Sequence, residues 1–147
     1  MVQVGILLGP VPERLGDWLA DASAFDAAGA DALWVEDVGD LDTVTLAAAL
    51  SVVTFRARLV VATAQAPERS VDTVRRLSHG RLGDTADPAE WERVGVPQGR
   101  EEWRQMCTEA HERGVRGVIV PADARLLDIL RNPDDPGERH DLQLAQG

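Results

Sequence analysis

The chain has 147 residues, of which 44% are hydrophobic and 27% are charged, a composition typical of a single globular domain. Its formal net charge of −10 opposes binding to nucleic acid, because the phosphate backbone is also negative. No apolar run approaches the roughly 18 residues that span a membrane, and a single cysteine excludes a disulfide within the chain.

The first half of the chain alternates apolar segments with amphipathic ones. Three apolar segments have the length and bounding turn residues of buried strands: residues 2–8, 32–35 and 58–63. Three segments have apolar residues at helical spacing: residues 15–25, 42–53 and 70–77. Asp42 and Ser70 stand where helix N-caps belong, and Gly29 and Gly80 follow helices as terminating glycines do.

The second half continues the alternation less regularly. Arg81 and Leu82 begin a fourth strand that Gly83 cuts short. Asp87, with Pro88 after it and Glu90 at the third helical position, predicts a helix start of the capping-box type. The remaining predictions are a helix ending at Gly114, a strand at 115–120, a helix opened by Asp123, and a loose tail from 134 to 147.

The alternation of apolar strands with helices predicts an α/β fold with a parallel sheet. Residues 1–133 form one domain in this prediction, and residues 134–147 form a C-terminal tail that is loose or ordered by a partner. The start of the chain has no basic, apolar leader, and the lone cysteine fits a reducing compartment. These features predict a cytoplasmic protein.

The order of several segments resembles the bacterial luciferase-like monooxygenase family, whose members are flavin- or deazaflavin-dependent (β/α)8 barrels. The segments that carry the resemblance are VQVGILL, AFDAAGADALWVEDV, LDTVTLAAALSVVTFRARLVVAT, RRLSHGRL and WERVGVP, with a weaker match at VRGVIVPADARLLDIL. A complete barrel of this kind takes about 250 residues. The resemblance therefore implies an incomplete (β/α)8 (TIM-like) barrel, with about five parallel strands and helices on the outer face.

In a closed barrel the last strand lies beside the first, so the retained strands would form an arc in the order last, first, second, third, fourth. Such an arc leaves an uncovered apolar hollow and two free strand edges. These features predict a homodimer in which two copies cover each other's hollow.

Ligands of parallel α/β sheets bind at the carboxyl ends of the strands. This rule selects two candidate catalytic carboxylates, Glu36 and Asp37. It also selects the following candidate cofactor-binding residues: Gly9, Thr63, Gln65, Asp123 and Arg125. The resemblance implies that Asp37 is the family's acid and that Thr63 contacts the isoalloxazine ring. Val38 stands where the family has a histidine, so proton transfer would fall to the carboxylates.

Three functions follow from these observations. The first is a flavin-dependent oxidoreductase or monooxygenase that uses FMN or the deazaflavin F420 and acts on a small apolar metabolite. The second is a cofactor-free enzyme with carboxylate acid/base chemistry, and the third is a non-catalytic binding or accessory protein. The scattered histidines and the lone cysteine give no metal motif.

Two further expectations concern single side chains. Cys107 shares a helical face with Trp103 and is expected to pack in the core. Trp34 alternates with Val35, and it is expected to pack against the helices if Asp37 faces the hollow.

Overall fold

A computed structural model describes residues 1–86 and 90–135 of the chain. In chain order its elements are β1 (Gln3–Leu7), α1 (Leu15–Ala27), β2 (Ala32–Trp34), α2 (Thr43–Val53), β3 (Arg58–Val61), α3 (Glu68–Leu77), β4 (Leu82–Asp84), β5 (Trp91–Arg93), α4 (Arg100–Glu112), β6 (Gly117–Pro121) and α5 (Ala124–Arg131). In the described part of the chain, no helix is long and apolar enough to cross a membrane.

The strands form one six-stranded sheet in the order β4-β3-β2-β1-β6-β5, and every pair is parallel. The predicted α/β class and the predicted order of last, first, second, third and fourth strand are confirmed. The longest pairing joins β1 to β6, with Gln3 opposite Gly117 and Leu7 opposite Pro121. Both are interior strands with a neighbour on each side, and we call β1 and β6 the central strands.

Strand β5 was not predicted. The helix expected from Asp87 is wrong from Trp91 onward, because Trp91–Arg93 pairs with β6 instead; residues 87–89 lie outside the described part. Only six residues lie between Asp87 and Val94, and Gly95 and Pro97 follow, so a stable helix has little room. The hydrogen bonds of the otherwise open β6 edge decide the conformation in favour of a strand.

Several helix ends agree with the sequence. The Asp42 carboxylate accepts a hydrogen bond from the Thr45 N–H at 2.8 Å and caps α2, and Asp123 caps α5 in the same manner. Gly29, Gly80 and Gly114 follow helices with positive φ angles, as glycine allows. Helix α3 differs, because it begins at Glu68 rather than after Ser70.

One face of the sheet carries all five helices of the described residues. The main core joins buried residues of all five helices to alternate strand positions such as Ile6, Leu33, Leu59 and Val118. The other strand positions form a second cluster that contains strand residues only: Ala32, Trp34, Val60 and Ile119, with Leu7 and Trp91 packed against them. We call this second surface the helix-free face.

The helix-free face is filled by two tryptophans. Trp34 of β2 and Trp91 of β5 lean over the central strands, and their rings meet edge to face with centroids 5.8 Å apart. Gly117 and Gly5 make room for them: a Cβ on Gly117 would lie 2.4 Å from Trp91 Cζ3, and one on Gly5 would lie 2.9 Å from Trp34 Nε1.

The condition under which Trp34 was expected to pack against the helices is not met. Val35 belongs to the helix-covered core, so alternation along the strand turns Trp34 to the opposite face, where it is 6% exposed. The same alternation turns Glu36, rather than Asp37, toward the helix-free face. The hollow that the sequence predicted to be uncovered is therefore occupied by the chain's own side chains.

We predict that Gly5→Ala lowers the free energy of unfolding by about 1–3 kcal/mol, because the new methyl group overlaps both indole rings. Gly9→Ala is the matched control, because Gly9 follows the same strand and an added Cβ there meets nothing within 4 Å. Its effect on the free energy of unfolding should stay within about 0.5 kcal/mol. Urea unfolding measures both values. Equal effects of the two substitutions would contradict the close packing above Gly5.

Candidate functional site

The sequence-selected residues all follow the carboxyl ends of strands. Gly9 follows β1, Glu36 and Asp37 follow β2, and Thr63 follows β3. Gln65 lies in the same loop as Thr63, and Asp123 and Arg125 follow β6. Because all six strands are parallel, these residues share one edge of the sheet, which we call the carboxyl edge.

Glu36 is paired with a residue that sequence reasoning did not select. Its Oε1 accepts a hydrogen bond from Nη2 of Arg93 at the end of β5, which makes a salt bridge between strands three positions apart in the sheet. The Glu36 side chain is one-third exposed and that of Arg93 is about half exposed. The pair spans the helix-free face above the two tryptophans, and it neutralises the charge of one candidate catalytic carboxylate.

Asp37 points away from this pair. It is exposed and makes no hydrogen bond or ion pair with any residue in the described ranges. The adjacent carboxylates therefore have different surroundings, as expected for neighbours at a strand end. Of the two adjacent carboxylates, Asp37 is the one that solvent and a ligand can reach without first breaking a salt bridge.

Thr63 is fixed by an acid at the end of the neighbouring strand. Its hydroxyl donates a hydrogen bond to Oδ2 of Asp84, and Oδ1 of Asp84 accepts from the Ala86 N–H at 2.8 Å. The Thr63 hydroxyl, followed by the Ala86 N–H, holds the pKa of Asp84 below its usual value. Asp84 is consequently a stable carboxylate at neutral pH, which suits positioning Thr63 and not donating a proton.

Gly9 and Gln65 leave space at the carboxyl edge. The Gly9 carbonyl accepts a hydrogen bond from Trp18 Nε1 at 3.2 Å, which ties the loop after β1 to α1. Gly9 itself is exposed, with open space where a Cβ would stand. Gln65 is exposed, and its side chain makes no hydrogen bond within the described part of the chain.

Asp123 and Arg125 lie at the start of α5. The Asp123 carboxylate accepts from the Arg125 N–H at 2.8 Å, so its main role is to cap the helix. Arg125 Nη1 donates to the side-chain oxygen of Gln98 at 3.2 Å. Gln98 is neutral, and among the described residues no carboxylate pairs with the Arg125 guanidinium. The positive charge of Arg125 is therefore available to an anion.

Sequence reasoning missed three partners: Arg93, Asp84 and Gln98. Arg93 was hidden because its segment was assigned to a helix, so its place at a strand end was lost. Asp84 follows the glycine that cuts the predicted fourth strand short, and it was not selected as a site residue. An acid at the end of a short strand, next in the sheet to the strand that precedes Thr63, is the signal that would have found it.

Other buried charges have structural roles. Asp26, 3% exposed, accepts hydrogen bonds from the N–H groups of Phe55, Arg56 and Ala57 and so fixes the turn before β3. Arg100 donates from Nη2 to Asp128 Oδ2 at 2.9 Å and lowers the pKa of Asp128.

Arg81 donates to carbonyl oxygens at the end of α2, including those of Ser51 and Thr54. Cys107 is half-buried against the main core, as predicted, and burial raises the pKa of its thiol. Its burial disfavours the reactive thiolate.

No other arrangement in the described ranges suggests chemistry. No three His, Cys, Asp or Glu side chains in those ranges come close enough to hold a metal ion. A surface depression of about 430 Å³ runs along α3, and its lining is Glu68, Arg69, Asp72, Thr73 and Arg76. These are polar side chains of a single helix, so the depression is an open groove along α3 that includes none of the candidate site residues.

Comparison with protein-family models finds no match, and comparison with curated protein sequences finds none either.

We predict that the Thr63–Asp84 pair makes stability depend on acid pH. Because the folded-state pKa of Asp84 is below the unfolded value, its contribution is present above about pH 4 and is lost as the pH falls through the folded pKa. Asp84→Asn should therefore lower stability at pH 7 and reduce the further loss between about pH 5 and pH 2.

Thermal unfolding across that range measures the effect. In a Thr63→Val background, where the largest cause of the pKa shift is gone, Asp84→Asn should change the pH dependence less. An identical pH dependence in wild type and Asp84→Asn would contradict the role given to the pair.

Proposed function

We propose that the chain is a shortened luciferase-like oxidoreductase that binds FMN or a deazaflavin at the carboxyl edge of an incomplete (β/α)8 barrel. The observation that carries the proposal is the sheet itself. Strands in the order β4-β3-β2-β1-β6 are all parallel and have every helix on one face, which is the arrangement that the segment order of the family requires. Doubly wound sheets, in contrast, carry helices on both faces.

The connection from β4 to β5 supports a curled sheet. Trp91 follows Asp84 by seven positions, over which an extended chain reaches about 25 Å at most. In a flat sheet, the five strand spacings between β4 and β5 span about 24 Å. The register adds an offset of five residues, or roughly 16 Å, along the strands, which brings the separation to about 29 Å. Curling of the sheet would shorten this separation, so the short connection supports the incomplete barrel of the proposal.

The residues at the carboxyl edge fit such a cofactor in two respects. Arg125 offers a positive charge that no described carboxylate neutralises, beside the N-terminus of α5, which suits a phosphate. Gly9 leaves room for a flat ring to approach the end of β1. When bound, a flavin or deazaflavin supplies electron or hydride transfer; the residues of the chain bind it, orient it and move protons.

Each remaining candidate has a defined part in this proposal. Thr63, held by Asp84, presents a fixed oxygen toward the ring, and Gln65 provides an amide beside it. The Glu36–Arg93 pair bounds the site on the opposite side. Asp37 is the proton acceptor, because it alone of the adjacent carboxylates has no partner within the described ranges. The substrate is a small apolar metabolite.

We predict that purified protein binds FMN or a deazaflavin and that Arg125→Gln weakens the binding at least about tenfold, since a charge-assisted contact is lost. Arg116→Gln is the matched control. It removes the same charge from an exposed residue before β6, at the other end of the strand, and should leave affinity unchanged. Cofactor fluorescence measures both. Absence of binding to either cofactor, or equal effects of the two variants, would contradict the proposal.

The occupied hollow supports a second candidate, a non-catalytic binding protein on the same scaffold. Trp34 and Trp91 fill the helix-free face, Glu36 is paired, and Asp84 is held as a carboxylate. Colourless protein with turnover that Asp37→Asn abolishes would instead favour the cofactor-free enzyme. If the purified protein has neither bound cofactor nor turnover, the non-catalytic binding protein is the function that remains.

We propose that the chain forms a homodimer, through a surface different from the hollow. Large apolar side chains remain exposed at Val52, Phe55 and Leu77. Arg81 binds the carbonyl oxygens of both Thr54 and Ser78, so their neighbours Phe55 and Leu77 lie at the same end of the molecule. Exposed apolar groups clustered in this way favour association.

We predict that light scattering at micromolar concentration gives a mass twice the 15.9 kDa of the chain and that Phe55→Glu restores the monomer mass. Leu41→Glu is the matched control, because Leu41 is also exposed but follows β2 at the carboxyl edge. A wild-type mass of 15.9 kDa would rule out the dimer.

A further inference from the structure

The helix-free face contains a buried donor without a partner. The indole N–H of Trp34 is buried, and Nε1 makes no hydrogen bond in the part of the chain that the structure describes. Buried N–H groups nearly always have an acceptor, and leaving one without an acceptor costs about 1–3 kcal/mol. The position of this nitrogen therefore needs an explanation.

The orphan nitrogen borders the space that Trp91 fills. A single point above Gly5, where its Cβ would stand, lies 2.9 Å from Trp34 Nε1 and 3.1 Å from Trp91 Cζ3. The Trp91 ring also touches the backbone at Gly117, where a Cβ would lie 2.4 Å from Cζ3. The indole of Trp91 thus rests on a floor of two glycines and against the nitrogen-bearing part of Trp34. The Trp91 ring offers this N–H no nitrogen or oxygen acceptor, because an indole nitrogen only donates.

We call the space bounded by Gly5, Gly117 and Trp34 the seat of the Trp91 ring. The residues of the seat lie on strands with two neighbours, whereas Trp91 lies on a strand with one. Gly5, Gly117 and Trp34 lie on strands β1, β6 and β2, each of which pairs on both sides. Trp91 lies on β5, a three-residue edge strand that pairs on one side only. Short edge strands open at lower free-energy cost than central ones. Trp91 can therefore leave while its seat keeps its shape.

We propose that the space filled by the Trp91 indole is a binding site for a planar, bicyclic heteroaromatic ligand with a hydrogen-bond acceptor, and that Trp91 occupies it when no ligand is bound. The space favours a planar ring, because Gly5 and Gly117 have no side chain to obstruct it and the Trp34 ring contacts it from the side. Trp34 Nε1 selects the acceptor. The neighbouring side chains of Ala32, Val60 and Ile119 are apolar, so the ligand is neutral.

This site lies on the helix-free face and not among Thr63, Gln65 and Arg125, which are proposed to hold the flavin, and it does not depend on flavin binding. A failure of the cofactor experiment above leaves it standing, and its own failure leaves the cofactor proposal standing. Part of the binding free energy is used to displace Trp91. The apparent affinity of the wild-type chain is therefore the intrinsic affinity multiplied by the fraction of molecules in which the site is open. Removing the Trp91 ring removes this competition.

The test uses benzimidazole and indole, which have the same size but differ in a ring-nitrogen acceptor. At pH 8, we expect full-length Trp91→Ala to bind benzimidazole about tenfold more tightly than indole, as one satisfied hydrogen bond predicts. Trp34→Phe in the same background keeps an aromatic ring and removes the donor, so the preference should disappear. Calorimetry measures these affinities.

Wild-type protein provides the second measurement and does not depend on the folding of any variant. We expect benzimidazole to bind about 10- to 100-fold more weakly than to Trp91→Ala and to shift the indole ¹H–¹⁵N resonances of Trp34 and Trp91. Unchanged resonances at saturating benzimidazole would overturn the proposal, and Trp91 would then be a packing residue only. Equal affinity of Trp91→Ala for the two probes would overturn the role of the Trp34 donor.

Discussion

The architecture depends on the close approach of two indole rings to the backbone of the two central strands. Burying an indole removes roughly 150–250 Å² from water, which at about 25 cal/mol per Å² is on the order of 4–6 kcal/mol. A glycine within a strand costs only about 0.5–1 kcal/mol relative to alanine. Gly5 and Gly117 are therefore favourable where Trp34 and Trp91 pack above them, and any larger residue would separate the rings from the sheet.

This packing accounts for the unusual edge strand. Trp91 anchors β5 on the helix-free face, and Glu92 anchors it on the other face through a salt bridge of 2.8 Å to Arg113 at the end of α4. Arg93 then reaches Glu36 across the central strands. Three consecutive residues thus place β5 beside β6, although both salt bridges are exposed and β5 pairs on one side only. The two adjacent acids at the carboxyl edge therefore differ: Glu36 links β2 to β5 through Arg93, and Asp37 stays accessible.

Most of the sheet could be predicted from the sequence because its signals are local. Apolar runs of strand length, Asp42 and Asp123 at helix starts, and glycines at helix ends each determine an element without reference to distant residues. Strand β5 could not be predicted, because the local helix-start signal at Asp87 competes with a β6 edge that exists only in the folded sheet. The sequence correctly placed Trp34 and Val35 on opposite faces, but it left open which face carries the helices, because that is a tertiary property. The candidate site was predicted as a set of positions at one edge of the sheet. Its partners were not predicted, because Arg93 lies in the strand that was assigned to a helix and the contact of Asp84 with Thr63 depends on the register of β4.

The most direct test of this account is the proton NMR spectrum of the glycines beneath the tryptophans. If the Trp91 ring lies on Gly117 within one chain, the Gly117 Hα resonances should be shifted strongly upfield by the ring current, with nuclear Overhauser effects to the Trp91 ring protons in dilute solution. Gly117 Hα resonances near their unstructured values, with no such effects, would show that the hollow is not filled in this way and would contradict the account.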